Sequence, residues 1–295
     1  MAAPARTVPR GSKSRPHGLF AHSKLDAVLV ALTAAQLALI FWCAVNFATL
    51  PPAAIGGFFV AHVILSVTNY NVATHYFLHT PFFSSPRLNG LFGALSGIIV
   101  MTPCTLLRSQ HAEHHQYGND RRDPATGLTG DSTSTYQNGK DGGHESFWRY
   151  SFLGPLRDGL CLREIWQAMK AGRPRRRIRL EVAVLLAFWT ALIAIDWRFA
   201  LFYLVVVYAD LAGTYAENYF EHYGAIPGSA KTDSVSCYNR LYNLLWFNNG
   251  YHQEHHYKPG VHWTKLPALR PQMPPEDRRK VVRWAHFANL PWLAE

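Results

Sequence analysis

Nine histidines of this chain fall into short runs whose spacings are those of a helix face. His75-Tyr-Phe-Leu-His79 sets two imidazoles four residues apart, and His111-Ala-Glu-His114-His115 and His252-Gln-Glu-His255-His256 each set three at i, i+3 and i+4. Residues three and four apart on a helix are neighbours on one side. The ninth, His222, closes Asn218-Tyr-Phe-Glu-His222, with Asn218 one turn behind it. Imidazole serves Zn, Cu, Fe and Ni, so ligand type does not choose the metal. The number of ligands narrows the site. Nine nitrogens exceed what one tetrahedral zinc uses and suit two metals with four or five ligands each, leaving positions open. Neither the Glu-x-x-His of ferritin-like di-iron bundles nor the His-Glu-x-x-His of zinc proteases is present.

The elements that must position these residues are apolar. Of 295 residues, 48% are hydrophobic and only 16% charged, below the roughly 25% charged content of a soluble domain. Leu25–Leu50 and Ala54–Ala73, joined by Pro51-Pro52, are each about the 20 residues needed to cross a bilayer. A second pair lies between Leu180 and Ala216, interrupted by Asp196-Trp197-Arg198. The sequence therefore predicts an all-α integral membrane protein of two transmembrane helical hairpins, about four spanning helices. Residues 1–24 read as a disordered basic tail and 25–295 as one membrane domain.

Arg6, Arg10, Lys13, Arg15 and Lys24 precede the first hairpin, and Arg173, Arg175, Arg176, Arg177 and Arg179 precede the second. By the positive-inside rule both flanks, the N-terminus and all the histidine runs lie on the cytoplasmic side, forming a histidine-box cap. The formal net charge of +10 follows from this flanking; it does not imply nucleic acid, because the basic residues are not interleaved with aromatics along an exposed face. Leu88–Leu107 is long enough to cross once, which would put the first and second histidine runs on opposite sides. Two crossings would take about 40 residues, more than Thr80 to Gln110 supply, so this stretch is read as an interfacial or re-entrant helix. Phe147–Lys170 is read as an interfacial helix, Asp131–Gly143 as a loop and Pro274–Ala288 as a short amphipathic helix. The four cysteines form no Cys-x-x-Cys pair, so neither a disulfide framework nor a cysteine-held iron site is encoded.

The order of the histidine boxes, with two hairpins placing them on one face, resembles the membrane fatty acid desaturase and hydroxylase superfamily. Asp123-Pro124 follows the second box as in many of its members. The resemblance implies two iron ions as cofactors, O2 as co-substrate, and His75, His79, His111, His114, His115, His222, His252, His255 and His256 as ligands, with Asn218 a contact through water. Asn218-Tyr-Phe-Glu-His222-Tyr-Gly resembles a motif of alkane hydroxylases. Asn249-Gly-Tyr-His252-Gln-Glu-His255-His256, with Pro259 and Leu266-Pro267, is similar to the third box of acyl desaturases and of carotenoid ketolases.

The activity so implied is oxygen-dependent desaturation of a long fatty-acyl chain. Hydroxylation of an alkane or acyl chain is the alternative, and carotenoid ketolase comes third. The partners implied are an acyl lipid, acyl-CoA or acyl carrier protein, and an external electron donor: ferredoxin, rubredoxin or a b-type cytochrome. A membrane metal transporter is the reading from a different class, and it requires polar groups near the bilayer midplane.

Other residues admit plainer readings. Glu113, Glu221 and Glu254 either orient ligating imidazoles or form solvated helix faces. His62, at membrane depth, is expected to be a hydrogen-bonded structural residue or to line a substrate tunnel. His17, His22, His144 and His286 are expected to be solvated, and His262 to stand at most behind the ligands.

Overall fold

The computed structural model describes residues 18–159, 162–170 and 175–290. Helix α1 (Asp26–Asn46) and helix α2 (Pro52–Thr68) form the first hairpin, its turn set by Pro51 and by Pro52 in the first turn of α2, where a missing N–H costs nothing. The second span does not stop at Thr68. It widens into a π-helical turn, Asn69–Thr74, and continues as α3 (His75–His79), an irregularity of a kind frequent at functional sites. Of the 24 residues expected to be a disordered tail, 1–17 lie outside the described residues. The remainder is tied down, because the Ala21 N–H donates to the Phe82 carbonyl at 2.7 Å and Phe20 stacks on Phe83.

Leu88–Leu107 is two helices, α4 (Pro86–Ile99) and α5 (Cys104–Tyr117), bent by 80° at the break before Cys104. The bend keeps the second histidine box on the side of the first. Pro103 forces it, since the residue before a proline is steered away from the helical region. Phe147–Lys170 is likewise broken, into α6 (Phe147–Gly154), a π-helical turn at Pro155–Gly159, and α7 (Leu162–Lys170).

The second hairpin is α8 (Arg175–Ile195) and α9 (Trp197–His222). Asp196 caps α9 by accepting from the Arg198 N–H at 2.9 Å. The four spans have the length and apolarity to cross a membrane, and only 22–44% of each apolar window is buried within the protein. The chain is thus an all-α, multi-pass membrane protein. Where the spans meet, Ile40, Phe188, Leu192, Phe199 and Tyr203 form an apolar core.

Beyond α9 come α10 (Arg240–Leu245), α11 (His252–Tyr257) and a run of 3-10 turns over Trp263–Gln272. The amphipathic helix expected over Pro274–Ala288 does not form. Its place is taken by 3-10 turns at Glu276–Arg278 and His286–Ala288 and by a two-residue strand, β2 (Val281–Val282), paired in parallel with β1 (Ser236–Cys237). The Lys280 carbonyl is consumed by the Ser236 N–H and the Gln253 amide, so tertiary partners displace the local helical bonds. This C-terminal layer is fastened to the first span at Asp26, whose Oδ1 accepts from His262 Nε2 and Trp263 Nε1, both at 2.9 Å. His262 therefore latches the cap and does not stand behind the ligands.

Candidate metal centre

The helices deliver the histidines in an interleaved way. His75 and His79 sit at the end of the second span, where the π turn meets α3, and His222 ends the fourth span. Helix α5 is held by Glu181 of α8, which accepts from the Thr105 N–H at 2.9 Å and the Thr105 hydroxyl at 2.8 Å while pairing with Arg177. Each His-x-x-His-His box then splits between two places. His75, His79, His111, His115 and His255 form one group, and His114, His222, His252 and His256 form another, with one nitrogen from each member within 4.8 Å of the rest of its group.

In the five-histidine group the Nε2 atoms point at one another. His75 Nε2 lies 2.8 Å from His255 Nε2, which lies 3.2 Å from His115 Nε2, which lies 3.0 Å from His111 Nε2. His79 Nε2 is buried with no partner. In the four-histidine group the Nε2 atoms of His222, His252 and His256 are also buried without partners. Buried polar nitrogens normally find a hydrogen bond, and so many aimed at two common centres are what metal ligands look like before an ion is counted. Burial and the neighbouring imidazoles, His256 for His252, His75 for His255 and His114 for His256, hold these three well below the ordinary histidine pKa. The neutral form so favoured is the one that binds metal.

Three of the Nδ1 atoms are fixed from behind. The Asn71 carbonyl lies 3.1 Å from His75 Nδ1, the Asp233 carbonyl 2.9 Å from His222 Nδ1, and Asp131 Oδ2 2.9 Å from His114 Nδ1. Asp233 Oδ1 stands 3.1 Å from His256 Nδ1 without a hydrogen bond between them. Such outer partners set ring orientation and raise ligand basicity. Burial alone would raise the Asp131 carboxyl, but the charge of His114 and hydrogen bonds from His114 and Thr133 hold it well below the usual carboxylate range. Gly118 makes the second contact possible. It ends α5 at φ +50°, and a Cβ there would lie 2.0 Å from Asp233 Oδ2.

The box carboxylates divide three ways. Glu113 is exposed. Glu254 is buried but accepts from the Ser236 and Tyr238 hydroxyls, bracing β1 and touching no histidine. Glu221 faces His252, its Oε2 3.6 Å from Nε2. Asn218 is near the centre, with its amide donating to the Tyr150 hydroxyl at 2.5 Å and the Thr133 carbonyl at 3.3 Å.

Two histidines expected to be solvated are not. His286 is fully buried beside Glu217, Glu221 and Tyr242. His144 is half-buried, stacked on Tyr136 and bonded to Thr135. His22 is exposed, as expected, and stacks on His262; His17 lies outside the described residues.

Sequence reasoning missed Asp131, Thr133, Asp233 and Tyr150. The 131–143 segment carries the turn composition of a surface loop, and nothing in its spacing ties Asp131 to a histidine 17 positions earlier.

A cavity of about 760 Å³ opens beside His75, His111, His114 and His252 and runs along one face of α9, past Leu211, Thr214, Tyr215, Asn218 and Glu221. Its size falls within the range of small-molecule sites.

No curated protein matches the chain. Residues 48–288 match the family described as fatty acid desaturase. All nine clustered histidines lie inside that span, and the chain belongs to the fatty acid desaturase family.

Proposed function

We propose that the chain is an oxygen-dependent desaturase of a long fatty-acyl chain, working at two irons held by His75, His79, His111, His115 and His255 on one side and by His114, His222, His252 and His256 on the other. The observation that carries this reading is the convergence of buried, partnerless or mutually facing Nε2 atoms on two centres. When bound, the irons supply the O2 activation needed to remove hydrogen from an unactivated C–H bond, which no ordinary base can deprotonate.

The protein's own residues position the substrate and the ligands. The face of α9 from Leu211 to Asn218 offers the chain a path from membrane depth toward the histidines. The outer acceptors Asp131, Asp233 and the Asn71 carbonyl keep the imidazoles in one tautomer and orientation. Asn218, held by Tyr150 and Thr133, lines the same cavity as the histidines, and there it would contact a metal through water. Electrons come from an external donor at the exposed, cytoplasmic face of the cap, an orientation supported by the basic residues before α1 and α8.

A second reading, hydroxylation, is favoured by one observation: the sequence Asn218-Tyr-Phe-Glu-His222-Tyr-Gly. The two differ in the fate of the chain after the first hydrogen is removed, which is set by sub-ångström placement. Expression in a lipid-replete host under 18O2, with mass spectrometry of the lipids, separates them. A product two hydrogens lighter and unlabelled is the expected result. Retained label means hydroxylation, and an unchanged lipid profile from iron-replete protein with a working donor overturns both.

A further inference from the structure

Glu221 meets the four-histidine group from an unusual side. At His114 and His222 the acceptor sits on Nδ1 and leaves Nε2 turned inward. At His252 a carboxylate faces Nε2 itself, with Glu221 Oε2 at 3.6 Å, and both ring nitrogens of His252 are buried without a hydrogen bond. A carboxylate that merely oriented this ring would stand about 2.7–2.9 Å from it. Two atoms each about 2.1 Å from one metal stand about 3.0–3.5 Å apart, close to the observed separation.

The carboxylate is also held for such a task. Its Oε1 accepts from Asn249 Nδ2 at 2.7 Å and lies 3.4 Å from His286 Nδ1, which leaves Oε2 for the centre. Glu221 lines the cavity together with His252. The group it faces has four histidines where its neighbour has five; Glu221 lies outside the 4.8 Å cluster of those four, grouped with Glu217 and His286, so ligation would draw Oε2 inward past His252.

We infer that Glu221 Oε2 is the fifth ligand of the four-histidine metal, and that Asn249 and His286 hold its other oxygen in place. The inference rests on the two-metal reading above. It makes the two ions unlike, one held by nitrogen alone and the other by nitrogen and oxygen. Glu217, one turn earlier on α9, shares the buried cluster with Glu221 and His286 and is equally buried, but it faces no nitrogen of the nine histidines, so it controls for loss of a charge from that cluster.

The test is iron per chain and 57Fe Mössbauer spectra of purified wild type, Glu221→Gln, Glu221→Asp and Glu217→Gln, each first checked for a single monodisperse peak in detergent. Wild type is expected to hold two irons with two distinct quadrupole doublets. Glu221→Gln is expected to fall toward one iron per chain, with one doublet lost or shifted, while Glu217→Gln keeps both. Should Glu221→Gln fail to fold, Glu221→Asp, which shortens the reach by one methylene, is expected to give the same loss. Two irons and unchanged doublets in the folded variant, or an equal loss in Glu217→Gln, overturn the assignment of Glu221 alone. Fewer than two irons in reconstituted wild type overturn the two-metal reading and this inference with it.

Discussion

His75 and His255, 180 positions apart in the chain, bring their Nε2 atoms to 2.8 Å. One such contact between neutral imidazoles could be a hydrogen bond, because one ring can donate. It cannot account for the neighbouring contacts, in which His255, His115 and His111 continue the same nitrogen-to-nitrogen chain and each ring has a single Nε2 to offer. An ion among them relieves all the contacts at once. His255→Ala is therefore expected to lower iron content from two toward one per chain and to reduce product formation by about 100-fold or more, since even outer partners of a ligand are worth roughly 10–100-fold. Unchanged iron and product in this variant would remove His255 from the site.

Asp131 is expected to behave as a positioning residue. It holds His114 Nδ1 with one oxygen and the Thr133 hydroxyl and N–H with the other. Asp131→Asn keeps the shape but loses the charge that stabilises the ring, and iron affinity should fall about 10–100-fold. A chelator titration measures this: iron should be stripped from Asp131→Asn at a lower chelator concentration than from wild type, with the histidines intact.

The outcome for Asp131 shows where the sequence was legible. Hairpins and histidine boxes are written in local periodicity, because hydrocarbon thickness fixes span length and a helix fixes which side residues share. That is enough to find four spans and nine histidines. The division of His111 and His115 from His114 is not local, since it depends on how α5 is rotated between α3, α9 and α11. The acceptors behind His114 and His222 come from loops at Asp131 and Asp233, whose approach is set by packing, whereas the Asn71 carbonyl behind His75 is one turn back on the same helical run. His286 shows the same limit in another form. Its place in a segment read as amphipathic suggests a solvated residue, and contacts with Glu217, Glu221 and Tyr242, remote in sequence, hold it in the interior.

His144 gives the cap a pH dependence. It clasps the 119–145 segment to the end of α9, with Thr135 Oγ1 2.7 Å from Nδ1 and the Gly224 N–H donating to Nε2 at 3.3 Å. The Thr135 hydroxyl can give its proton to Asn119, so Nδ1–H donates and Nε2 accepts, a neutral tautomer. Burial, with help from Arg121, lowers its pKa from 6.5 to about 4. A histidine with a depressed folded pKa contributes stability above its unfolded value and loses it as pH falls. Protection of residues 131–145 from hydrogen exchange, corrected for intrinsic rates, should thus decline from pH 6.5 toward 4. In His144→Gln the same segment should be less protected at pH 7.5 and should change little across that window.

The last expectation concerns the polar network at membrane depth. His62 Nδ1 lies 3.2 Å from Asp210, and its Nε2 lies 3.3 Å from both Gln36 Nε2 and the Tyr203 hydroxyl. Asn69 donates to Gln36 at 2.6 Å and accepts from Thr33 at 2.8 Å. The network joins α1, α2 and α9, so removing one member strands others in a medium without water. Interhelical bonds of this kind are worth about 0.6–2 kcal/mol in a membrane, and Asp210→Leu should lower the melting temperature in detergent accordingly. The double variant His62→Leu, Asp210→Leu should cost less than the sum of the two single changes, because the His62–Asp210 contact is lost only once and neither of the two is left stranded by the other. Iron content should stay at the wild-type value throughout, since this network clamps the helices and reaches no nitrogen of the nine histidines. Iron loss in Asp210→Leu at full folding would instead assign it to the metal centre.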